Sequence, residues 1–267
     1  MASYPITLPS SPGNPLATLT HPDSEIWELE LHHGQDNRIT PEFVDVLGKA
    51  LDLVEKDWRS GTTEDGAPGA LVIVGKKSQN KFFSNGLDFV NTSKDRGFFP
   101  VIFNPLLRRL LTFPVPVVAA INGHAFAAGF LLALCADYRV MTCGKAWCSM
   151  NELTFGAPLP TSMAAILKFR HPTSEALRKT CLEAHRWTPA EILAIGMVDQ
   201  LSEEPNTQSV LKAAHALAKQ RAPLAKTGVW GLIKRDLARD VLLAASLDER
   251  GITPVEEAKA ARAKFKL

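Results

Sequence analysis

The chain has 267 residues, 46% of them hydrophobic, and its 30 basic and 28 acidic side chains leave a formal net charge of +2. That length buries an ample core in one large domain or a domain with an appendage. The near balance of charge excludes a field strong enough to point to nucleic acid or a membrane surface as partner. Cys135, Cys143, Cys148 and Cys181 form no Cys-x-x-Cys pair, and the nearby histidines lack metal-ligand spacing, so free thiols in a reducing compartment are expected. The uncharged run Leu110 to Ala136 is long enough to imitate a membrane span, but Pro114, Pro116 and the Asn122-Gly123-His124 corner break it into a strand, a turn and a buried helix. Residues 1–37 hold no basic side chain, so they lack the start of a secretory signal and the arginines of a mitochondrial presequence.

In chain order, Met1 to Pro15 reads as an extended arm rich in Pro, Ser and Gly. Leu16 to Thr20 and Ile26 to Leu31 alternate as strands, with His21-Pro22-Asp23 as their hairpin turn. Thr40-Pro41-Glu42 starts a helix that runs to about Trp58. Phe43, Val46, Leu47, Ala50 and Val54 share one face of it. Ala70 to Gly75 is apolar throughout, as in a strand buried on both faces, and Phe82 to Asp88 is a strand end entering a loop at Gly86. The spacing predicts a helix over 98–113, a strand over Val115 to Ile121, a buried helix over Ala127 to Cys135 and a strand over Tyr138 to Met141. Helices follow over Thr161 to Phe169, Ser174 to His185 and from Thr188, then over 207–221, 223–238, 239–248 and 254–265. Alternating strand and helix imply an α/β core over residues 1–200, with a helical region over 201–267.

Two loops carry small residues where a ligand can approach. Gly86 exposes the N–H of Leu87, and Ala127-Ala128-Gly129 opens a helix whose first N–H groups lack internal partners. Such residues serve either close packing or an oxyanion hole. Glu152, among Trp147, Met150, Leu153 and Phe155, is either a surface carboxylate or a desolvated proton shuttle. His124 suits a base or a turn cap, Asp88 a cap for the Gly86 loop, and Asp137 a helix end or a partner for Arg139. No Gly-x-Ser-x-Gly, Gly-x-Gly-x-x-Gly or Walker pattern occurs.

The segments Phe83-Ser84-Asn85-Gly86-Leu87-Asp88, Pro116 to Ala125, Ala128-Gly129, Asp137 and Glu152-Leu153-Thr154-Phe155-Gly156 resemble the enoyl-CoA hydratase/isomerase (crotonase) superfamily, from about Leu16 to the C-terminus. The resemblance implies a spiral of ββα units with a C-terminal helical trimerisation region, a homotrimer or hexamer, an acyl-CoA thioester substrate, and no metal or redox cofactor. It assigns oxyanion donors to the backbone of Leu87 and Ala128 and proton transfer to Glu152. Substrate contacts are implied for Ser84, Asn85, Gly86, Asp88, Gly129, Leu131 and Phe155. Hydratases of the superfamily usually carry two glutamates, and the first of these positions is Leu131 here. One carboxylate suffices to move a proton from C2 to C4 of a 3-enoyl-CoA, and an apolar wall at Phe130 and Leu131 is expected to exclude water. The chain is therefore most similar to Δ3,Δ2-enoyl-CoA isomerases, particularly peroxisomal ones. Hydration, specialised acyl-CoA processing and a non-enzymatic binding role stand as alternatives. Phe265-Lys266-Leu267 matches the peroxisomal Ser-Lys-Leu signal in its last two residues, and a cytoplasmic location is the alternative.

Overall fold

A computed structural model describes residues 3–9, 13–62, 66–92, 94–95, 97–246 and 254–265. Lys266 and Leu267 of the expected targeting tripeptide lie outside them. The chain begins with strands β1 (Ile6–Leu8), β2 (Ala17–Asp23) and β3 (Ile26–Leu31), followed by helix α1 (Pro41–Ser60). Three turns of a spiral come next. Strand β4 (Ala70–Val74) leads to β5 (Phe82–Ser84), the short α2 (Phe89–Thr92) and α3 (Asn104–Leu111). Strand β6 (Val117–Ile121) leads to β7 (His124–Phe126) and α4 (Ala128–Cys135). Strand β8 (Tyr138–Met141) leads to β9 (Cys148–Ser149) and α5 (Thr161–Arg170). Helices α6 (Ser174–Leu182) and α7 (Pro189–Ala194), strand β10 (Gln200–Leu201), and α8 (Thr207–Arg221), α9 (Trp230–Leu237), α10 (Arg239–Ser246) and α11 (Pro254–Phe265) complete the chain.

Each turn of the spiral adds one strand to each of two sheets. Among the described residues the larger has seven strands in the order β1-β2-β3-β4-β6-β8-β10, and the smaller has three in the order β5-β7-β9. From β3 onward all pairings are parallel. This is the ββα spiral, with the remaining helices C-terminal to it. Strands β4 and β6 are buried at every position, as expected of parallel strands covered on both faces. One face of the large sheet packs on α1, α3 and α4 through Leu71, Ile73, Val117 and Ala119. The other receives α8, whose small residues Ala214 and Ala218 let the helix lie close to Val72, Val118 and Val140. The sheet thus extends to β10 at Leu201, and α8 is part of its cover.

Several boundaries differ from the sequence expectation for identifiable reasons. His21-Pro22-Asp23 continues β2, and the turn falls at Ser24-Glu25. A register shift between Thr20 and Asp23 spares Pro22 a ladder hydrogen bond that it cannot donate. The arm contributes β1, which pairs with β2. The helix expected over 98–113 divides into a π-helical turn at Phe98–Phe103 and α3, because Pro105 removes a donor near the junction. The helix expected over 174–185 stops at Leu182, before the left-handed Ala184 (φ 49°). The one expected over 223–238 is interrupted by a 3-10 turn at Ala222–Ala225 and by Gly228 (φ 70°).

Asp137 pairs with Lys234, not with Arg139, which bonds the Met197 carbonyl and lies 3.8 Å from Asp199. The buried Lys234 ammonium lies 2.9 Å from Asp137 and 3.1 Å from the Leu110 carbonyl, and Asp137 also accepts the Val117 N–H at 2.9 Å. One ion pair therefore fastens α9 to the end of α3 and the start of β6. Burial pulls the ammonium below its ordinary pKa, and the Asp137 charge opposes this. Lys234→Met leaves Asp137 buried without its cation and should cost about 3–5 kcal/mol in urea unfolding. Adding Asp137→Asn should restore part of that loss.

Candidate active site

The loop after β5 is held peptide by peptide against the segment that precedes α1. Asn85 N–H donates to the Asp36 carbonyl at 2.8 Å, Ile39 N–H to the Gly86 carbonyl at 2.8 Å, and Asp88 N–H to the Ile39 carbonyl at 3.0 Å. These last two bonds form a parallel bridge between Ile39 and Leu87. In that geometry the bridged Leu87 turns its own N–H and C=O away from Ile39. Gly86 makes the turn at φ 80°.

Helix α4 supplies the opposing wall. It is apolar on all sides and buried at every residue, so its orientation is set by packing alone. Its first turn has no side-chain cap. Ala127 enters it at φ 51°, ψ −127°, a conformation that glycine adopts readily and alanine rarely. The strained residue is fixed on both sides, by its N–H to the Ser149 carbonyl at 2.8 Å and by its carbonyl accepting Leu131 N–H at 3.0 Å. Gly129 lies so close to β5 that a Cβ there would overlap the Ser84 carbonyl oxygen. A Cβ on Gly86 would stand 2.9 Å from the Phe126 carbonyl and 3.2 Å from the Ala128 nitrogen. The Gly86–Leu87 peptide and the N-terminus of α4 are thus packed together, with the Leu87 and Ala128 nitrogens as neighbours.

Beside them opens a cavity of about 400 Å³. Its apolar lining includes Leu87, Phe89, Phe99, Phe155, Pro160 and Met163. The polar lining is Arg38, Asn85, Asn151 and Glu152. Glu152 is the one carboxylate among the described lining residues. It opens a short 3-10 turn (Glu152–Phe155) closed by Gly156 in the left-handed region (φ 72°). Its Oε2 is buried without a hydrogen-bond partner. Burial pushes the carboxyl up to about 7, against a smaller opposing effect of its own backbone N–H. A carboxyl of that pKa in an apolar cavity is poised to accept and return a proton near neutrality. Cys181 is the nearby thiol, but burial and the Glu152 charge push it up to about 11, so it remains protonated.

The residues expected from sequence fall into three groups. Leu87, Asn85, Phe155 and Glu152 border the cavity. Ser84, Gly86, Asp88, Ala128 and Gly129 build its frame. The Ser84 hydroxyl donates to the Asn37 carbonyl at 2.8 Å, and Asp88 accepts from Asn91 at 2.6 Å and caps α2 through its carbonyl. Leu131 and Phe130 are wholly buried within α4 and do not border the cavity, so its apolar wall is formed instead by Phe89, Phe99, Phe155, Pro160 and Met163. His124 accepts the Trp147 N–H at 3.0 Å and stacks on Phe126 and Trp147, and burial lowers its pKa; it is a neutral structural ring. Arg38, Asn151 and the Ala157-Pro158 stretch were not anticipated. The closely spaced Pro158 and Pro160 after Gly156 were the one local signal for the last of these.

Two substitutions test this frame. Gly129→Ala should lower stability by about 1–3 kcal/mol, since the obstructing atom is backbone. Ala127→Gly should raise the melting temperature, with a net gain of up to about 1 kcal/mol from relieved strain.

A family model described as enoyl-CoA hydratase/isomerase matches residues 23–241. "Enoyl-CoA delta isomerase 3" of Arabidopsis thaliana is 28% identical over 221 residues, covering 80% of this chain and 88% of that protein. The Arabidopsis "Enoyl-CoA delta isomerase 2, peroxisomal" is 27% identical, covering 85% of this chain and 94% of that protein. Among solved structures, a Mycobacterium tuberculosis protein called an enoyl-CoA isomerase in one structure and a probable enoyl-CoA hydratase in another superposes, in the first, with a TM-score of 0.71 at 26% identity, covering 94% of this chain and 99% of that one. An enoyl-CoA hydratase of Mycobacterium marinum gives 0.70 at 28% identity, covering 86% and 94%. The spiral fold, the paired loops and the family match agree: the chain belongs to the enoyl-CoA hydratase/isomerase family.

Proposed function

We propose that the protein is a Δ3,Δ2-enoyl-CoA isomerase, converting 3-enoyl-CoA to trans-2-enoyl-CoA. The observation that carries this reading is Glu152, the single carboxylate among the described residues lining a mainly apolar cavity, beside two neighbouring backbone nitrogens. Glu152 removes a proton from C2; the C2–H electron pair becomes the π bond of C1=C2 and the thioester carbonyl π pair moves onto oxygen, giving a dienolate. Its oxygen is stabilised by the N–H groups of Leu87 and Ala128. The carbonyl then re-forms, the C1=C2 π pair shifts to C2=C3, and the C3=C4 π pair takes the proton from the protonated carboxyl at C4. Nothing is added or lost, so the reaction needs no water and no redox or metal cofactor; coenzyme A is part of the substrate. Hydration calls for a second group to activate water, and the cavity's lining holds no second carboxylate among the described residues.

The Arabidopsis relatives named as delta isomerases support the same reading. Two of them are named peroxisomal, and we extend that location, a place in fatty-acid β-oxidation and a homotrimeric or hexameric assembly to this chain as parts of the proposal. The exposed Leu232, Ile233, Leu237 and Leu243 of α9 and α10 favour burial against further copies.

Glu152→Gln should abolish the appearance of conjugated thioester absorbance from 3-enoyl-CoA while acyl-CoA binding persists. Unchanged turnover contradicts the assignment, and loss of that absorbance from added 2-enoyl-CoA favours hydration.

The raised Glu152 pKa has two consequences of opposite sign. The base is ionised only above about 7, so kcat/KM should rise with pH through that value and level off. Folding stability behaves in reverse. The folded protein holds this proton more tightly than the unfolded chain, so the stabilisation is full below about 4.5 and is lost as pH rises through about 7. At pH 8, Glu152→Gln should therefore unfold at higher urea than the parent, by on the order of 2 kcal/mol.

A further inference from the structure

The side chain of Arg38 occupies an unusual place in this frame. Asn37 precedes it at φ 52° and is pinned beneath the loop, donating from Nδ2 to the Leu31 carbonyl at 3.1 Å and the Phe83 carbonyl at 2.9 Å. That turn sends Arg38 over the loop that carries Leu87. Its Nη1 donates to the Leu87 carbonyl at 3.1 Å, and its Nε to Asp36 at 3.0 Å. The same Asp36 oxygen accepts the Asn85 amide at 2.7 Å. Arg38 also borders the cavity.

The direction of these bonds matters. The bridge to Ile39 turns both the N–H and the C=O of Leu87 to the outward side, and the guanidinium binds the carbonyl on that side. A permanent positive charge therefore stands on the side towards which the Leu87 N–H points. Resting on the proposed isomerase reading only for the identity of the acyl-CoA, we propose that Arg38 is a positioning residue of the oxyanion site. It clamps the Asn85–Asp88 loop through Leu87 and Asp36, and its charge adds to the potential that stabilises the enolate oxygen. The Arg38 side chain is 45% exposed in the free protein, where water screens its charge. An acyl-CoA seated across the cavity mouth excludes that water and strengthens the effect as charge develops.

The test uses a ligand that reports on the oxyanion site whatever reaction the protein performs. A 3-oxoacyl-CoA such as acetoacetyl-CoA ionises to an enolate with its own near-ultraviolet absorbance, and an oxyanion site shifts that ionisation when it binds. Arg38→Gln should reduce the ratio of bound enolate to bound keto form about 10- to 100-fold at fixed pH, with smaller change in the affinity for saturated acyl-CoA. Arg38→Lys keeps the charge but not the fork and should lie between. Asp36→Asn, which weakens the clamp but leaves the Arg38 charge, should also lower the ratio. Added guanidinium ion should restore part of the enolate signal in an Arg38→Gly protein. Folded Arg38→Gln and Arg38→Lys proteins that match the parent within about twofold in bound enolate overturn the inference. So does equal weakening of enolate and saturated acyl-CoA, which marks a purely structural role. If the parent binds the enolate but does not turn over 3-enoyl-CoA, the isomerase reading fails while the Arg38 experiment still gives its answer.

Discussion

The close approach of Gly129 to the Ser84 carbonyl is the contact on which the arrangement of the cavity depends. It draws the N-terminus of α4 onto strand β5. It also brings the Ala128 nitrogen beside the Gly86–Leu87 peptide. Neither nitrogen needs a particular side chain of its own. What is needed is the absence of a Cβ at residues 86 and 129, and a backbone held rigidly enough that its dipoles do not reorganise. The protein obtains the rigidity from hydrogen bonds already satisfied on the far side of each peptide, at Ile39 and at Leu131. Ala127 bears the cost as a positive φ that only its surroundings enforce.

Around this frame the chemistry is simplified by burial. Glu152 has an unpartnered oxygen and apolar neighbours, and these conditions raise its pKa towards neutrality. The same conditions oppose folding at higher pH, so the carboxylate that carries the proposed reaction weakens the fold when it is ionised. Two other buried charges are matched. Lys234 faces Asp137, and Glu28 lies 2.8 Å from both Lys77 and His215. The contrast sets Glu152 apart as the group on which the proposed chemistry rests.

Much of this was legible in the residues. Thr40 and Pro41 announced α1, where the Thr40 hydroxyl does accept the Phe43 N–H. The continuous apolar runs announced β4 and β6, and the small residues between His124 and Phe130 marked the tight junction. The strands of the smaller sheet were mostly not legible. Strands β7 and β9 are three and two residues long, too short to show a period, and form where the spiral sets β7 beside β5 and β9 beside β7. The cavity wall was misplaced for a related reason. Leu131 is near the site in sequence, but α4 turns it into the core, whereas Phe99, Pro160 and Met163 reach the cavity from distant segments. Arg38 gave no sign in a polar loop, since its importance depends on which way the Leu87 peptide faces.

The most direct measurement is a crystal structure of the Glu152→Gln protein with a bound 3-enoyl-CoA. The account predicts the thioester oxygen at about 3 Å from both the Leu87 and Ala128 nitrogens, with residue 152 flanking C2 and C4 on one face of the acyl chain. A thioester oxygen bound away from those two nitrogens, or an acyl chain lying outside the cavity, would contradict it.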